Sequence, residues 1–266
     1  MGESMRRWLP LLPILLWALA ALSADIAADD AARIQLQQIL APPGGMSLLG
    51  CDDLGRSILF RLWSGARISF VVALGVVSLS LLVGTLVGLL AGYRGGWPDL
   101  VLMRIVDVFL AFPGILLAIA LAGVMGPGID NLIIALSVVG WVGYARLARG
   151  QVLSLKQREH VTAARALGMP GWRILGWHIL PLLWAPLIVE ATFGLAGTVI
   201  AEAGLSYLGL GVQPPQASWG SMIRDGASYM LMTPHMVLAP GVAIMLVVLS
   251  LNLIGDRLRD WLDHRI

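Results

Sequence analysis

The chain of 266 residues is poor in charge, in cysteine and in lysine, and each shortage removes a class of function. Only 13% of its residues are Asp, Glu, Lys or Arg, against about 25% in soluble domains. A cytosolic enzyme, a nucleic-acid binder and a disordered chain are excluded together. Cys51 is the single cysteine, so neither an intramolecular disulfide nor a cysteine-based zinc cluster can form. Lys156 is the single lysine and no glycine directly precedes it, which excludes a G-x-x-x-x-G-K-[ST] phosphate loop. If the protein does work, ATP is handled by another chain. His160, His178, His235 and His264 lie outside the apolar runs or at their ends, no H-E-x-x-H occurs, and Gly204-Leu205-Ser206-Tyr207-Leu208 lacks the closing glycine of a nucleophile elbow. An intramembrane enzyme, the main alternative from another class, is without its residues.

What is abundant is apolar surface: 58% of the residues are hydrophobic and the mean hydropathy is +0.83. These values predict an all-α integral membrane protein. A hydrocarbon core about 30 Å thick needs roughly 20 residues at a rise of about 1.5 Å each. Six runs meet or approach that length, at 8–24, 68–92, 105–125, 129–145, 179–201 and 236–254. The first follows Arg6 and Arg7, and with small residues around 20–24 it reads as a first transmembrane helix over 1–24 or as a cleavable signal peptide. The anchor is the expected form.

The basic residues orient these spans. With six spans and an N-terminus that starts inside, 13 of the 18 Arg and Lys residues face the cytoplasm, while Arg33, Arg56, Arg61, Arg67 and Arg224 stay outside. Both termini are therefore expected in the cytoplasm, and the net charge of +2 reports orientation more than an acidic partner.

Three connections are longer than a turn requires. The outer segment 25–67 carries Pro42-Pro43-Gly44-Gly45, an expected linker, and then Ile58, Leu59, Leu62 and Trp63 at helical spacing. That spacing suggests an interfacial amphipathic helix, or else a simple tether, ahead of a transmembrane core over 68–266. The inner loop, about 150–178, has no Gly or Pro from Gln151 to Leu167, then Gly168 at a helix-ending position and Pro170 in the first turn of a second helix. Two short helices joined at an angle are expected. Ala163, Ala164 and Gly168 strip one patch of side chains, so another protein's surface could approach the backbone closely. The outer loop 202–235 mixes aromatics with Gly and Pro, as a folded interfacial loop would.

The string Thr162-Ala163-Ala164-Arg165-Ala166-Leu167-Gly168, followed after nine residues by His178-Ile179-Leu180-Pro181, resembles the EAA motif of permease subunits in binding-protein-dependent ABC importers. Leu54-Gly55-Arg56, Gly65-Ala66-Arg67-Ile68-Ser69, Ala111-Phe112-Pro113, Ser206-Tyr207-Leu208-Gly209-Leu210-Gly211-Val212 and Asn252-Leu253-Ile254-Gly255-Asp256 are similar to the dipeptide, oligopeptide and nickel branch, in the second permease of each pair. Thr162 stands where the motif names Glu, His178 where it names Ile, and Cys51 and Ser57 replace an expected Thr and Asp. The resemblance implies a type I importer architecture of six transmembrane helices with a cytoplasmic coupling helix. It further implies a heterodimer with a similar permease, two cytoplasmic ATPase subunits that bind the ATP, and a periplasmic binding protein. This chain would need no cofactor or metal and would contact no nucleic acid. Glu159, Thr162, Ala163, Ala164, Arg165 and Gly168 are the expected docking residues. Peptides are the expected cargo, with nickel or a metal chelate as the alternative.

Carboxylates inside the bilayer mark sites by default, because each is costly there. Asp107 has Arg104 at i−3 for a structural pair. Glu202 is expected at the outer end of its span, within reach of water. Glu190 falls near the midplane and shares a helix face with Gly194, Gly197 and Ala201. It is either clamped by a neighbouring helix or faces the translocation pathway, where it would favour cationic or amino-bearing cargo. Glu190 and Glu202 are the candidate pathway residues.

Overall fold

In the computed structural model the described residues are 10–44 and 47–263. They form helices α1 (Leu11–Leu22), α2 (Ala24–Ala32), α3 (Ile58–Arg94), α4 (Gly96–Leu110), α5 (Gly114–Met125), α6 (Ile129–Leu155), α7 (Glu159–Ala166), α8 (Gly171–Ile174), α9 (Leu180–Tyr207), α10 (Trp219–Ala227) and α11 (His235–Asp263). A π-helical turn, Leu175–Ile179, joins α8 to α9. In hydrocarbon each backbone N–H and C=O needs an internal partner, and a helix supplies nearly all of them. Four helical stretches are long and apolar enough to cross a bilayer, and two bent pairs, α1 with α2 and α4 with α5, bring the total to six if each pair is one span. Arg6, Arg7 and Trp8 at the start of the first span, and Gly45 in the outer linker, lie outside the described residues.

The expected third span is not one helix. Between α4 and α5 the chain bends by 84°, because Pro113 has no N–H to donate and holds ψ at 115°, outside the helical region. The residue ahead of a proline is likewise disfavoured in helical geometry. At the outer end, Ile58, Leu59, Leu62 and Trp63 do lie on a helix, but not on a separate interfacial one. They are the first turns of α3, whose 37 residues rise about 56 Å, so that α3 stands well clear of a core about 30 Å thick.

The outer segment folds onto that protruding end. Leu40 N donates to Asp52 O at 2.9 Å, and Cys51 N to Ala41 O at 3.0 Å. The Asp52 carboxylate accepts from Leu54 N, Arg56 N and Arg56 Nε at 2.7–2.9 Å and from Arg61 Nη1. Arg61 Nη2 continues to Asp225 on α10 at 3.2 Å. Asp52, Arg56 and Arg61 are all buried, so this ion cluster fastens the outer segment, α3 and α10 together. Trp219 Nε1 donates to Leu62 O at 2.9 Å and Trp17 Nε1 to Ala66 O at 3.1 Å, tying α10 and α1 to the same turns of α3.

Helices α3 and α6 run parallel in close contact. Gly84, Gly88 and Gly92 form a small-residue row at spacings of four, which lets backbones approach. A Cβ at Gly84 would stand 2.3 Å from Trp141 O, and one at Gly88 would stand 2.4 Å from Ala145 O. At the inner end, Lys156 Nζ donates to Gly92 O at 2.8 Å, and Arg149 grips Asp99 on α4 through two bonds of 2.5 and 2.7 Å. Asp107 and Arg104 approach to 4.0 Å, but both side chains are exposed.

Candidate functional site: an inner docking loop and a groove between α6 and α9

The inner loop departs from the expected pattern in one place. Gln151 to Leu167 is not one helix, because α6 ends at Leu155 and Arg158 takes an extended conformation (φ −67°, ψ 147°) that redirects the chain into α7. The far end of α7 behaves as its sequence suggests. Gly168 has φ +81°, Gly168 N donates to Arg165 O at 3.0 Å and Met169 N to Ala164 O at 3.1 Å. This is the Schellman arrangement that a glycine permits at a helix end.

On α7 the inward face is Val161 and Ala164, both buried. They join Ile174, Ile179, Leu183 and Leu187 in a hydrophobic cluster that reaches Tyr144 and Val77. Glu159, Thr162, Ala163 and Ala166, at i, i+3, i+4 and i+7, face outward and are exposed, as are Arg165 and Gly168. Ala164 was expected on the docking patch, but it is 6% exposed and belongs to the core. The small-residue pattern did not say which alanine faces in; Val161 three residues earlier fixes it. Ala166 and Leu167 are the residues that sequence reasoning missed. Leu167 is 88% exposed, an apolar side chain at the tip of the loop. Arg165 lies over the Tyr93 ring at 5.9 Å, and a Cβ at Gly171 would stand 2.8 Å from Tyr93. The loop is thereby seated on the end of α3.

Two cavities lie in series between α6 and α9. The inner one, about 550 Å³, is lined on α6 by Leu147, Gln151 and Leu155 and on α9 by Leu182, Pro186, Val189, Glu190 and Phe193; Arg158 and Arg259 also line it. The second, about 270 Å³, continues along the same faces with Leu136, Val139, Gly140 and Tyr144 on α6 and Gly194, Gly197, Thr198 and Ala201 on α9. Gly114 and Ala118 of α5 and Ser80 of α3 close its other side. The α6 stripe from Leu136 to Leu155 covers about 28 Å of rise, comparable with the hydrocarbon thickness. Along the Gly194 row, Gly194 admits the Tyr144 ring, whose Oη would stand 2.3 Å from a Cβ there, while Gly197 has nothing within 4 Å.

Glu190 is half-buried and lines the inner cavity, with Oε1 3.6 Å from where a Gly143 Cβ would be. Among the described residues its carboxylate has no ion-pair partner, and the buried Tyr144 hydroxyl beside it has no hydrogen-bond partner. Glu202 corrects an expectation. It is fully buried, not within reach of water, and accepts Ser69 Oγ and Ser206 Oγ at 2.7 Å each. Ser69 comes from α3, so Glu202 is a polar tie between helices, packed under α10. Among the described residues no group of three or more His, Cys, Asp or Glu could hold a metal ion.

Known proteins similar to this chain give its family. Residues 84–266 match the family described as binding-protein-dependent transport system inner membrane component. The chain is 45% identical over 227 residues to the dipeptide transport system permease protein DppC of Alkalihalophilus pseudofirmus, covering 85% of this chain and 75% of that one. It is 44% identical over 224 residues to the glutathione transport system permease protein GsiD of Pectobacterium atrosepticum, covering 84% and 74%. Among solved structures, the MetNI methionine ABC transporter in inward-facing conformations matches with a TM-score of 0.58 at 20% identity, over 76% of this chain and 94% of that chain, a likeness of fold. The chain belongs to the family of inner membrane components of binding-protein-dependent transport systems, multi-pass permeases that are not catalytic and work with ATPase subunits and a substrate-binding protein.

Proposed function

We propose that this permease imports short peptides, through the groove between α6 and α9, and that the outward face of α7 is where an ATPase subunit docks. Support for the cargo comes from the dipeptide and glutathione systems to which the chain is similar. A second, similar permease completes the pathway, two ATPases bind one loop each, and both chain ends lie in the cytoplasm, a reading that the distribution of arginines supports. Glu190 lines the route and favours cargo with an amino group.

The single observation that carries this reading is the division of α7 into two faces. Its outward face, with Thr162, Ala163 and Ala166, is small enough for close approach, while its inward face is packed into the cluster that runs through Ile174 and Ile179 to Leu183 and Leu187 on α9. Displacement of α7 by an ATPase would thus be delivered to a helix that lines the groove. Alternating access needs two packings with different affinities for the ATP-bound and nucleotide-free partner.

The test separates docking from folding. Ala163→Glu puts a carboxylate on the outward face and should abolish peptide-stimulated ATP hydrolysis and co-purification of the ATPases, while the permease pair is recovered in normal yield. Normal coupling in this variant refutes the docking face. Reporters active on one side of the membrane, fused after Trp219 and Ile266, test the orientation; a strong periplasmic signal at Ile266 contradicts it.

A further inference from the structure

We infer that the inner cavity is a binding site for short zwitterionic peptides, with the peptide ammonium at Glu190 and its carboxylate at Arg158 and Arg259. The inference rests on the peptide reading above and goes beyond it, to a site on this chain itself and not on the binding protein.

The cavity has the composition of a ligand site. Its volume of about 550 Å³ falls in the range of roughly 300–1,000 Å³ usual for small-molecule pockets, and most of its wall is apolar with a few polar groups. Those groups are arranged by sign. The carboxylate is at the deep end, against Gly143. The guanidinium-bearing residues are at the other end, Arg158 just past α6 and Arg259 near the end of α11. Gln151 lies between them on α6 and offers a donor and an acceptor to a backbone amide. A carboxylate in a membrane-spanning helix is costly unless something compensates it, and Glu190 has no ion-pair partner among the described residues. An ammonium group arriving with cargo would supply one.

Geometry sets the length of the ligand. Gly143 and Leu155, the last residue of α6, are 12 residues apart, about 18 Å of axial rise, and Arg158 follows three residues beyond the helix end. An extended chain spans at most about 3.3–3.6 Å per residue. A single amino acid cannot reach both ends, whereas three to five residues can.

Occupancy has a consequence for coupling. Arg158 is the residue that opens α7, its carbonyl accepting from Val161 N at 3.0 Å and Thr162 N at 3.1 Å. A peptide held on the Arg158 side chain is therefore one residue from the docking face. Because linkage is reciprocal, peptide on this side of the membrane feeds back on the ATPases, and ATPase docking changes peptide affinity at the cavity.

The experiment uses the complete complex of both permeases and both ATPases in lipid discs, without the binding protein. Equilibrium binding of tri-alanine is compared with N-acetyl-tri-alanine, tri-alanine amide and free alanine, on the parent and on Glu190→Gln and Arg158→Gln. Blocking either end of the peptide should weaken binding about tenfold or more, the worth of one charge-assisted contact, and alanine should bind least. In Glu190→Gln the free and N-acetylated peptides should bind alike; in Arg158→Gln, where Arg259 remains, the preference for the free acid over the amide should shrink. Arg158 is exposed, so that variant keeps the test alive if Glu190→Gln assembles poorly. Equal binding of all four ligands, or unchanged discrimination in both variants, overturns the site. Uptake of tri-alanine through the binding protein, measured in parallel, distinguishes the two failures: uptake without binding at the cavity sinks this inference alone, and absent uptake of any peptide sinks the peptide reading.

Discussion

Replacing Gly88 with alanine should loosen the whole membrane core, and the effect can be worked from the packing of α3 on α6. The new Cβ would stand 2.4 Å from Ala145 O, 2.7 Å from Ala148 Cβ and 2.9 Å from Arg149 N. Carbon contacts are comfortable at about 3.5–4.0 Å, so the helices must part by roughly 1 Å. Two of the three obstructing atoms are backbone and cannot rotate away. Parting by 0.5–1 Å forfeits about a quarter to a half of each contact's dispersion energy, and overpacking typically costs about 1–3 kcal/mol. Gly150 is the internal control: it lies in α6 and a Cβ there meets nothing within 4 Å, so Gly150→Ala should be neutral or gain up to about 1 kcal/mol of helix propensity. At about 2–4 °C per kcal/mol for a chain approaching this size, thermal unfolding of the purified permease pair should separate the two variants by several degrees. Gly88→Ala melting with Gly150→Ala, or above it, would refute the tight seam.

Three further substitutions have definite expected outcomes. Ala164→Glu places a carboxylate in the buried cluster with Val161 and Ile174 and should cost several kcal/mol, lowering permease yield, unlike Ala163→Glu; equal yields would contradict the assignment of faces. Asp52→Asn leaves Arg56 and Arg61 buried without their shared carboxylate and should destabilise by about 3–5 kcal/mol; protease protection of the outer segment, compared with the parent, reads it out. Glu202→Ala removes the acceptor for both Ser69 and Ser206 and should cost about 1–3 kcal/mol in thermal stability; an unaltered melting point would contradict the role of Glu202 as an interhelical tie.

The sequence made some of this architecture legible and hid the rest for physical reasons. The all-α membrane fold follows from run length and hydropathy, and the end of α7 from Gly168 and Pro170. Hydropathy carries no direction, however, so the apolar run through Ala111-Phe112-Pro113 concealed an 84° bend. The proline marks the place without giving the angle. Glu202 was misread because its partner Ser69 is 133 residues away, and no local pattern indicates that α3 and α10 will enclose it. The row Gly84, Gly88, Gly92 has the spacing of a helix-packing surface, but that spacing does not name α6 as its partner. The groove was only half readable. Small residues share a face of α9 with Glu190, but whether that face packs or stays open depends on the α6 stripe of Leu136, Gly140, Tyr144, Leu147 and Gln151 that it meets. The division of α7 into inner and outer alanines likewise depends on the core beneath it.

The central claim is that the groove between α6 and α9 is the route of transport, and thiol labelling tests it most directly. Cys51 is 1% exposed, which makes the parent chain a quiet background for introduced cysteines. Gln151→Cys in the inner cavity and Thr198→Cys in the second are reacted with a small water-soluble maleimide in the assembled transporter. The comparison is between the nucleotide-free complex and the complex trapped with a non-hydrolysable ATP analogue. The account predicts that both label faster than the parent, that their rates shift in opposite directions between the two states, and that peptide cargo slows both. Labelling no faster than Cys51 at both positions would contradict it.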